Sequence, residues 1–330
     1  MKEKNIFKDM EDDINSSNLD EKAKKKFFEN ILNLKSKKVN LMITGATGCG
    51  KSSTINAMFN MNVAKVGVGS DPETMEIQKH KLDNLILWDS PGLGDGKEKD
   101  IQHSKGIVSK LHELDEHNKP LIDLVLVILD GGSRDLGTSY ELINSVIIPS
   151  LGENAKDRIL VAINQADGAM KGRHWDFENN KPEPKLVEFL DEKVKSVKKR
   201  VKEATGVDIE PIYYSAGFKD EEKPQRPYNL SKLLYFIVKN TPTEKRLAYV
   251  NNTSEDKEMW EMDDGQKIYI DEIKKSFIET IVESSQSGGE IGREIGEAFN
   301  MGKTGETIGK VAGTVVGVGK AIYDTISSWF

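Results

Sequence analysis

The chain has 330 residues, room for one large domain or two modest ones. Hydrophobic content of 37% and charged content of 31% fit a soluble globular protein, and a net charge of −7 argues against broad nucleic-acid binding. The only cysteine, Cys49, excludes a disulfide framework and points to a reducing, cytoplasmic compartment. The charged stretch from Lys2 to Asp13 has no apolar core of a secretory signal, and no run of 18 apolar residues predicts an ordinary transmembrane helix.

Residues 1–36 read as an N-terminal helical arm of one or two helices. Asn18-Leu19-Asp20 offers a start, and Phe27, Phe28, Ile31 and Leu34 fall at helical spacing. Such an arm either packs on the sheet or serves as an adaptor or effector arm. Residues 37–242 alternate apolar strands with amphipathic helices, which predicts a three-layer α/β domain with a mostly parallel sheet.

The first strand, 39–44, runs into Gly45-Ala46-Thr47-Gly48-Cys49-Gly50-Lys51-Ser52, and a helix continues the chain from Ser53. This is the pattern G-x-x-x-x-G-K-[ST] in its strand–loop–helix setting. Glycines let the loop curl so that N–H groups point inward at a phosphate chain, and the helix N-terminus adds partial positive charge. Gly45, Thr47, Gly48, Cys49, Gly50, Lys51, Ser52 and Ser53 are therefore the expected phosphate contacts. Lys51 would reach the β- and γ-phosphates, and the Ser52 hydroxyl would ligate Mg2+.

A short apolar run at 85–88 ends in Asp89-Ser90-Pro91-Gly92, 38 residues past Lys51. Asp89 would hold Mg2+ through a water, and the Gly92 amide would touch a γ-phosphate. Between the two motifs, Thr74 could complete the magnesium shell and sense the γ-phosphate. The nearly continuous apolar run 121–129 predicts a central parallel strand. It leads into Asp130-Gly131-Gly132-Ser133-Arg134-Asp135, where Arg134 is a candidate supplier of positive charge, and then into a helix over 138–148.

The strand 158–163 ends in Asn164-Gln165-Ala166-Asp167, 75 residues past Asp89. Open parallel sheets bind ligands at that edge. The Asp167 carboxylate can accept hydrogen bonds from N1–H and N2–H2 of guanine, a donor pair that adenine lacks. Asn164 would brace the loop and meet the oxygen edge of the base. Ser215-Ala216-Gly217, after the apolar run 212–214, would offer backbone to the guanine ring. GTP or GDP with Mg2+ is thus the expected ligand set.

Residues 169–184 form an insertion, where His174 beside Asp176 reads as ordinary loop rather than as a metal site. Residues 219–227 read as a charged, proline-broken surface loop, and residues 243–267 as a polar linker. Residues 268–285 form an amphipathic helix with Ile270, Ile273, Phe277 and Ile281 on one stripe. In the tail, Gly305, Gly309, Gly313 and Gly317 recur every fourth residue beside an apolar stripe. Each glycine costs a helix about 1 kcal/mol relative to alanine, so this face calls for a close-packed neighbour. The region 288–330 therefore reads as a helical tail whose partner is a membrane, a second copy or another helix. A spacer or a helix docked on the nucleotide domain is the plainer alternative.

These stretches, in this order over residues 37–242, resemble the guanine-nucleotide signature of the translation-factor-related GTPases, and within them the Era-like group with its D-x-P-G motif. The combination of Asn164 to Asp167 with Lys171-Gly172-Arg173-His174-Trp175-Asp176 resembles one bacterial branch of that group. The resemblance implies a P-loop GTPase that hydrolyses GTP slowly and switches shape when the γ-phosphate leaves, with Lys51, Thr74 and Gly92 at the reacting end. Two departures bear on this. Gln165 stands where the family has a lysine over the base, which predicts weaker nucleotide affinity, and Leu93 stands where Ras-type proteins carry glutamine. Two other classes remain open: a membrane-associated or self-assembling GTPase of the dynamin or immunity-related kind, acting through the tail, and a ribosome-associated GTPase. Era proteins carry a KH domain with a G-x-x-G loop, whereas Ile308 to Gly313 has one residue too many for it.

Overall fold

The computed structural model describes residues 5–16, 21–59, 61, 76–94, 96–218 and 224–286. Thr74 and the glycine-rich tail lie outside the described residues. Helices α1 (Ile6–Ser16) and α2 (Glu21–Ser36) precede strand β1 (Val39–Gly45) and helix α3 (Lys51–Met58). Then come β2 (Gln78–Leu82), β3 (Leu85–Asp89), α4 (Lys97–Leu111) and β4 (Leu124–Asp130). A helical run comes next: α5 (Gly137–Glu141), a π-helical stretch (Leu142–Ile147), α6 (Ile148–Leu151) and α7 (Ala155–Arg158). The remainder is β5 (Ile159–Asn164), the two-residue pair β6 (Trp175–Asp176) and β7 (Lys181–Pro182), α8 (Pro184–Thr205), β8 (Ile212–Tyr213), α9 (Leu230–Asn240) and α10 (Tyr269–Gln286).

The main sheet has the order β2-β3-β1-β4-β5-β8. β3, β1, β4, β5 and β8 are parallel, and only β2 runs antiparallel, against β3. β1 is buried at every residue and β4 at all but Asp130, as expected of parallel strands covered on both faces. Strand alternation divides their side chains. Leu41, Ile43, Leu126 and Ile128 face one helical layer, Met42, Val125 and Val127 the other. The edge strand β2, Gln-Lys-His-Lys-Leu, is polar and mostly exposed, which discourages pairing with another chain.

The first layer joins both ends of the described chain. Phe7 and Met10 of α1, Ile31 of α2, Ile55 of α3 and Phe277 of α10 belong to one buried cluster with β1. Residues 243–267, expected as a polar linker, contribute Leu247, Tyr249 and Trp260 to the same cluster, each at most 1% exposed. Their polar neighbours bind as well. Lys245 Nζ donates to Asp123 Oδ1 (2.6 Å), and Asp264 accepts from Lys232 (2.5 Å) and from the Tyr269 hydroxyl (2.8 Å). Polar composition misled there because few apolar residues anchor a long stretch. The second layer holds α4, the π-containing run and α8, whose Leu186, Leu190, Val197 and Val201 are fully buried. The helix expected over 138–148 is interrupted. Pro149 enters α6 near its N-terminus, where its missing N–H and its ring disfavour an uninterrupted α-ladder from the preceding turn, and the chain widens to π geometry just before it.

Because Phe277 is 1% exposed in a core shared with β1, Phe277→Ala should destabilise the domain by about 3–5 kcal/mol. Thermal or urea unfolding of the two proteins measures this. A loss below about 1 kcal/mol would mean that α10 is not part of the cooperative unit.

Candidate functional site

The parallel register gathers the sequence motifs at one edge. Ile43 lies opposite Asp89, Gly45 opposite Ile128, and Asp130 opposite Asn164. The loops leaving β1, β3, β4 and β5 therefore start side by side, at the carboxyl ends where open sheets bind ligands.

The glycine loop after β1 is left-handed at Gly48 (φ 78°) and Gly50 (φ 89°), and it feeds directly into α3. Among the described residues, the N–H groups of Gly48 and Gly50 donate to no backbone carbonyl. At Gly50 a side chain would also strike the Asn164 amide. Lys51 sits at the first turn of α3, with Nζ 3.4 and 3.3 Å from the Gly45 and Ala46 carbonyls, over the mouth of the loop. Ser52 and Ser53 continue the same half-buried turn. Cys49 is wholly buried behind the loop, and burial raises its thiol pKa, so it is held as an unreactive thiol.

The Asp89–Gly92 segment is clamped to this loop. Thr47 N–H donates to Leu93 O (2.9 Å), Leu93 N–H to Gly45 O (3.3 Å), and Ser90 N–H to Ile43 O (3.0 Å). Gly92 lies so close to Thr47 that a Cβ there would overlap its backbone. Asp89 is 3% exposed, and its Oδ1 has no hydrogen-bond partner. Burial raises its pKa to about 6, against the lowering influence of Lys51. A buried, unsatisfied carboxylate oxygen within the field of the Lys51 ammonium suits a hard divalent cation bound partly through water and phosphate oxygens. Asp89 thus fits Mg2+, and Ser52 at the first turn of α3 would be the second protein donor. Among the described residues no cluster of three His, Cys, Asp or Glu could hold a metal elsewhere.

The loop after β5 binds back to the glycine loop. Asn164 Nδ2 donates to Cys49 O (2.9 Å), and its Oδ1 accepts from Ala216 N–H (2.9 Å). Gln165, left-handed at φ 57°, donates from Nε2 to Gly48 O (2.9 Å). The residue that was expected to weaken the base site thus still reaches the phosphate loop. Asp167 accepts from Ser215 Oγ (2.5 Å), and Gly217 N–H donates to that same hydroxyl (3.3 Å). Asn164, Gln165, Asp167, Ser215, Ala216 and Gly217 therefore form one hydrogen-bonded wall beside the loop.

Some partners carried no sequence signal. His103 of α4 is 5% exposed, with Nδ1 3.1 Å from Gly92 O. Thr54 bridges Gly50 O (2.8 Å) and the buried Tyr214 hydroxyl (2.7 Å). Lys193 of α8 donates to the carbonyls of Gly131 (2.6 Å) and Ser133 (2.7 Å), steadying the loop after β4. Each is an ordinary residue of a helix until the fold brings it to the edge. Arg134 is exposed and lines a cleft against α8. His174 Nδ1 lies 2.9 Å from Glu183 Oε2.

Residues 40–165 match the family described as 50S ribosome-binding GTPase. The chain carries a P-loop GTPase domain. Two uncharacterised proteins of Escherichia coli K12 are similar: YkfA at 29% identity over 130 residues and YfjP at 30% over 131. Each alignment covers 38% of this chain and 41% of the relative, so the chain matches about two fifths of their length. Similar solved structures include a probable GTP-binding protein EngB (19% identity, TM-score 0.38, 61% of this chain and 98% of that one). Era of Aquifex aeolicus aligns at 18% identity and a TM-score of 0.39, over 62% of this chain and 57% of its own. Toc33 of Arabidopsis thaliana aligns at 15% and 0.45, over 73% and 98%. All three scores lie below 0.5, and the strand order, not these likenesses, defines the fold.

Asn164→Ala should leave Cys49 O and Ala216 N–H unpaired inside the protein, destabilising it by about 2–3 kcal/mol. Unfolding curves of the nucleotide-free chain test this, and unchanged stability would show that the two loops are held by other contacts.

Proposed function

We propose that this protein binds GTP in preference to ATP, hydrolyses it slowly with Mg2+, and acts as a conformational switch. The observation that carries the reading is the joined wall of Asn164, Gln165 and Asp167 against the glycine loop, beside the buried Asp89. In this reading the loop N–H groups of 45–53 cradle the phosphates and Lys51 neutralises the β- and γ-oxygens. Ser52 and Asp89 hold the cation, with Thr74 as a further ligand brought in from the segment between them. Magnesium, when bound, supplies charge neutralisation at the transferred phosphoryl group. The Gly92 amide is the γ-phosphate sensor, and His103 holds its carbonyl from behind. Loss of the γ-phosphate would free this segment from the loop, an order change that a partner can read.

Base choice falls to Asp167. Ser215 orients one carboxylate oxygen, and the guanine N1–H and N2–H2 donors would pair with the carboxylate. Asp167→Asn should lower GTP affinity by at least about a hundredfold and favour xanthosine triphosphate, whose carbonyl replaces the guanine amine. Lys51→Ala is the control that removes phosphate binding for either base. Equal affinity of the wild type for ATP and GTP in a filter or calorimetric assay would overturn the guanine reading.

Leu93 is 5% exposed and packed in the second-layer core, so no side chain there orients water. Leu93→Gln should leave the basal rate within about threefold, because the chemistry rests on positioning and charge. A Leu93→Gln rate raised far beyond that, in a phosphate-release assay at several protein concentrations, would mean the position is catalytically open. A wild-type rate per molecule that climbs with concentration would implicate a second copy.

Membership of the Era-like group is part of this proposal. So is a ribosome-associated role, which the description of the matched family favours, with tail-driven assembly as the alternative. Among the described residues no helix is long and apolar enough to cross a membrane. Co-sedimentation with ribosomes and with liposomes, with GTP and with GDP, separates the two.

A further inference from the structure

A cavity of about 680 Å³ opens beside the base wall, at the carboxyl ends of β4 and β5 and against α8. Three segments line it. The loop after β4 brings Arg134, the segment after β5 brings Lys171 and Arg173, and α8 brings Lys193 and Arg200. Phe189, Lys193, Ser196 and Arg200 recur at three- and four-residue steps, so α8 gives the cavity one continuous face.

The charges are not balanced. These five cations meet two carboxylates, Asp135 and Glu192, in a chain whose net charge is −7. Lys193 is committed to the carbonyls of Asp130, Gly131 and Ser133. Arg134, Lys171 and Arg173 have no ion-pair or hydrogen-bond partner among the described residues. Arg200 has only the face of Tyr140, 5.4 Å from its guanidinium. Asp135 uses one oxygen on the Gly137 N–H (2.8 Å).

The presenting turn is built rather than loose. Met170 (φ 52°), Lys171 (φ 62°) and His174 (φ 67°) are left-handed although each carries a Cβ, a conformation that persists only where the surroundings impose it. The chain just after it is anchored by the His174–Glu183 contact and the edge-to-face stack of Trp175 on Tyr228. Apolar surface comes from Met170, Leu136 and the ring of Phe189, which is 37% exposed. Guanidinium forks match phosphate geometry, and an open ring beside them suits a flat body. The volume is that of a small-molecule site.

We propose that this cavity is a second ligand site, separate from the nucleotide loop, that takes a small phosphate ester with a planar aromatic body. Occupancy would be felt at the base wall, because Lys171 and Asp167 share the turn Ala166–Gly172 and Gly131 N–H is bonded to Asn164 O (2.7 Å). That coupling rests on the guanine reading above, whereas binding itself does not. Because linkage is reciprocal, a ligand here shifts guanine-nucleotide affinity by the factor by which the nucleotide shifts its own.

The test uses the full chain with saturating GDP and Mg2+, and 4-methylumbelliferyl phosphate as probe, monitored by calorimetry and ligand-observed NMR. One saturable equivalent is expected, with the dephosphorylated phenol binding at least about tenfold more weakly. The double variant Lys171→Ala/Arg173→Ala should weaken the probe by about tenfold or more, while its melting temperature and GDP affinity stay at wild-type values. Phe189→Ala should weaken probe and phenol alike. No saturable binding, equal binding of the phenol, displacement by GDP, or an unchanged affinity in the double variant would each overturn the site. An unchanged GDP affinity at saturating probe would overturn the coupling. If the chain binds no guanine nucleotide at all, the functional reading fails, and the probe titration without GDP still decides the cavity.

Discussion

Asn164 ties the site together. Its amide holds the carbonyl of Cys49 on one side and takes the N–H of Ala216 on the other, so one buried side chain spans the phosphate loop, the base loop and the segment after β8. Buried amides are costly when unpaired, and that cost makes the arrangement definite. Gln165 and Thr54 repeat the theme with bonds to Gly48 and Gly50. The glycine loop is thereby held from the base side as well as by its own helix. Gly50 could carry no side chain here, because Asn164 occupies the space that a Cβ would need.

The opposite flank is held differently. Asp89 to Gly92 is joined to the loop by backbone bonds at Thr47 and Leu93, and it is backed by His103. Asp89 is buried with an unused oxygen and a raised pKa. A protein interior tolerates such a group when a ligand or a cation completes it. The two flanks thus differ in character: a hydrogen-bonded wall at Asn164 to Asp167, and an incomplete pocket at Asp89. In the proposed reading, that asymmetry suits fixed recognition of the base and a variable response to the terminal phosphate.

The packing beneath the site explains why the ends of the described chain belong with its centre. Phe7, Met10, Trp260 and Phe277 fill the layer against β1, so the helices before the first strand and after the last close one core around the strand that carries the phosphate loop. The other face, with α8 and the π-containing run, supports the loops after β4 and β5 through Lys193.

The sequence by itself determined which residues stand at the candidate site. Its motifs are local: a glycine loop between a strand and a helix, an aspartate at the end of an apolar run, and Asn-x-x-Asp after another such run, each readable from neighbours in the chain. It also determined the mostly parallel sheet, since near-continuous apolar runs such as that of β4 suit only strands covered on both faces. What tertiary structure decided is everything that depends on residues far apart. The register that aligns Gly45, Asp89 and Asn164, the burial of Trp260 within a stretch of polar composition, and the meeting of His103 with Gly92 have no local signature. Nor does the gathering of Arg134, Lys171, Arg173 and Arg200 around one cavity. Periodicity reports which face of an element is apolar, whereas only packing selects which faces meet, and long-range contacts of polar side chains depend on that choice.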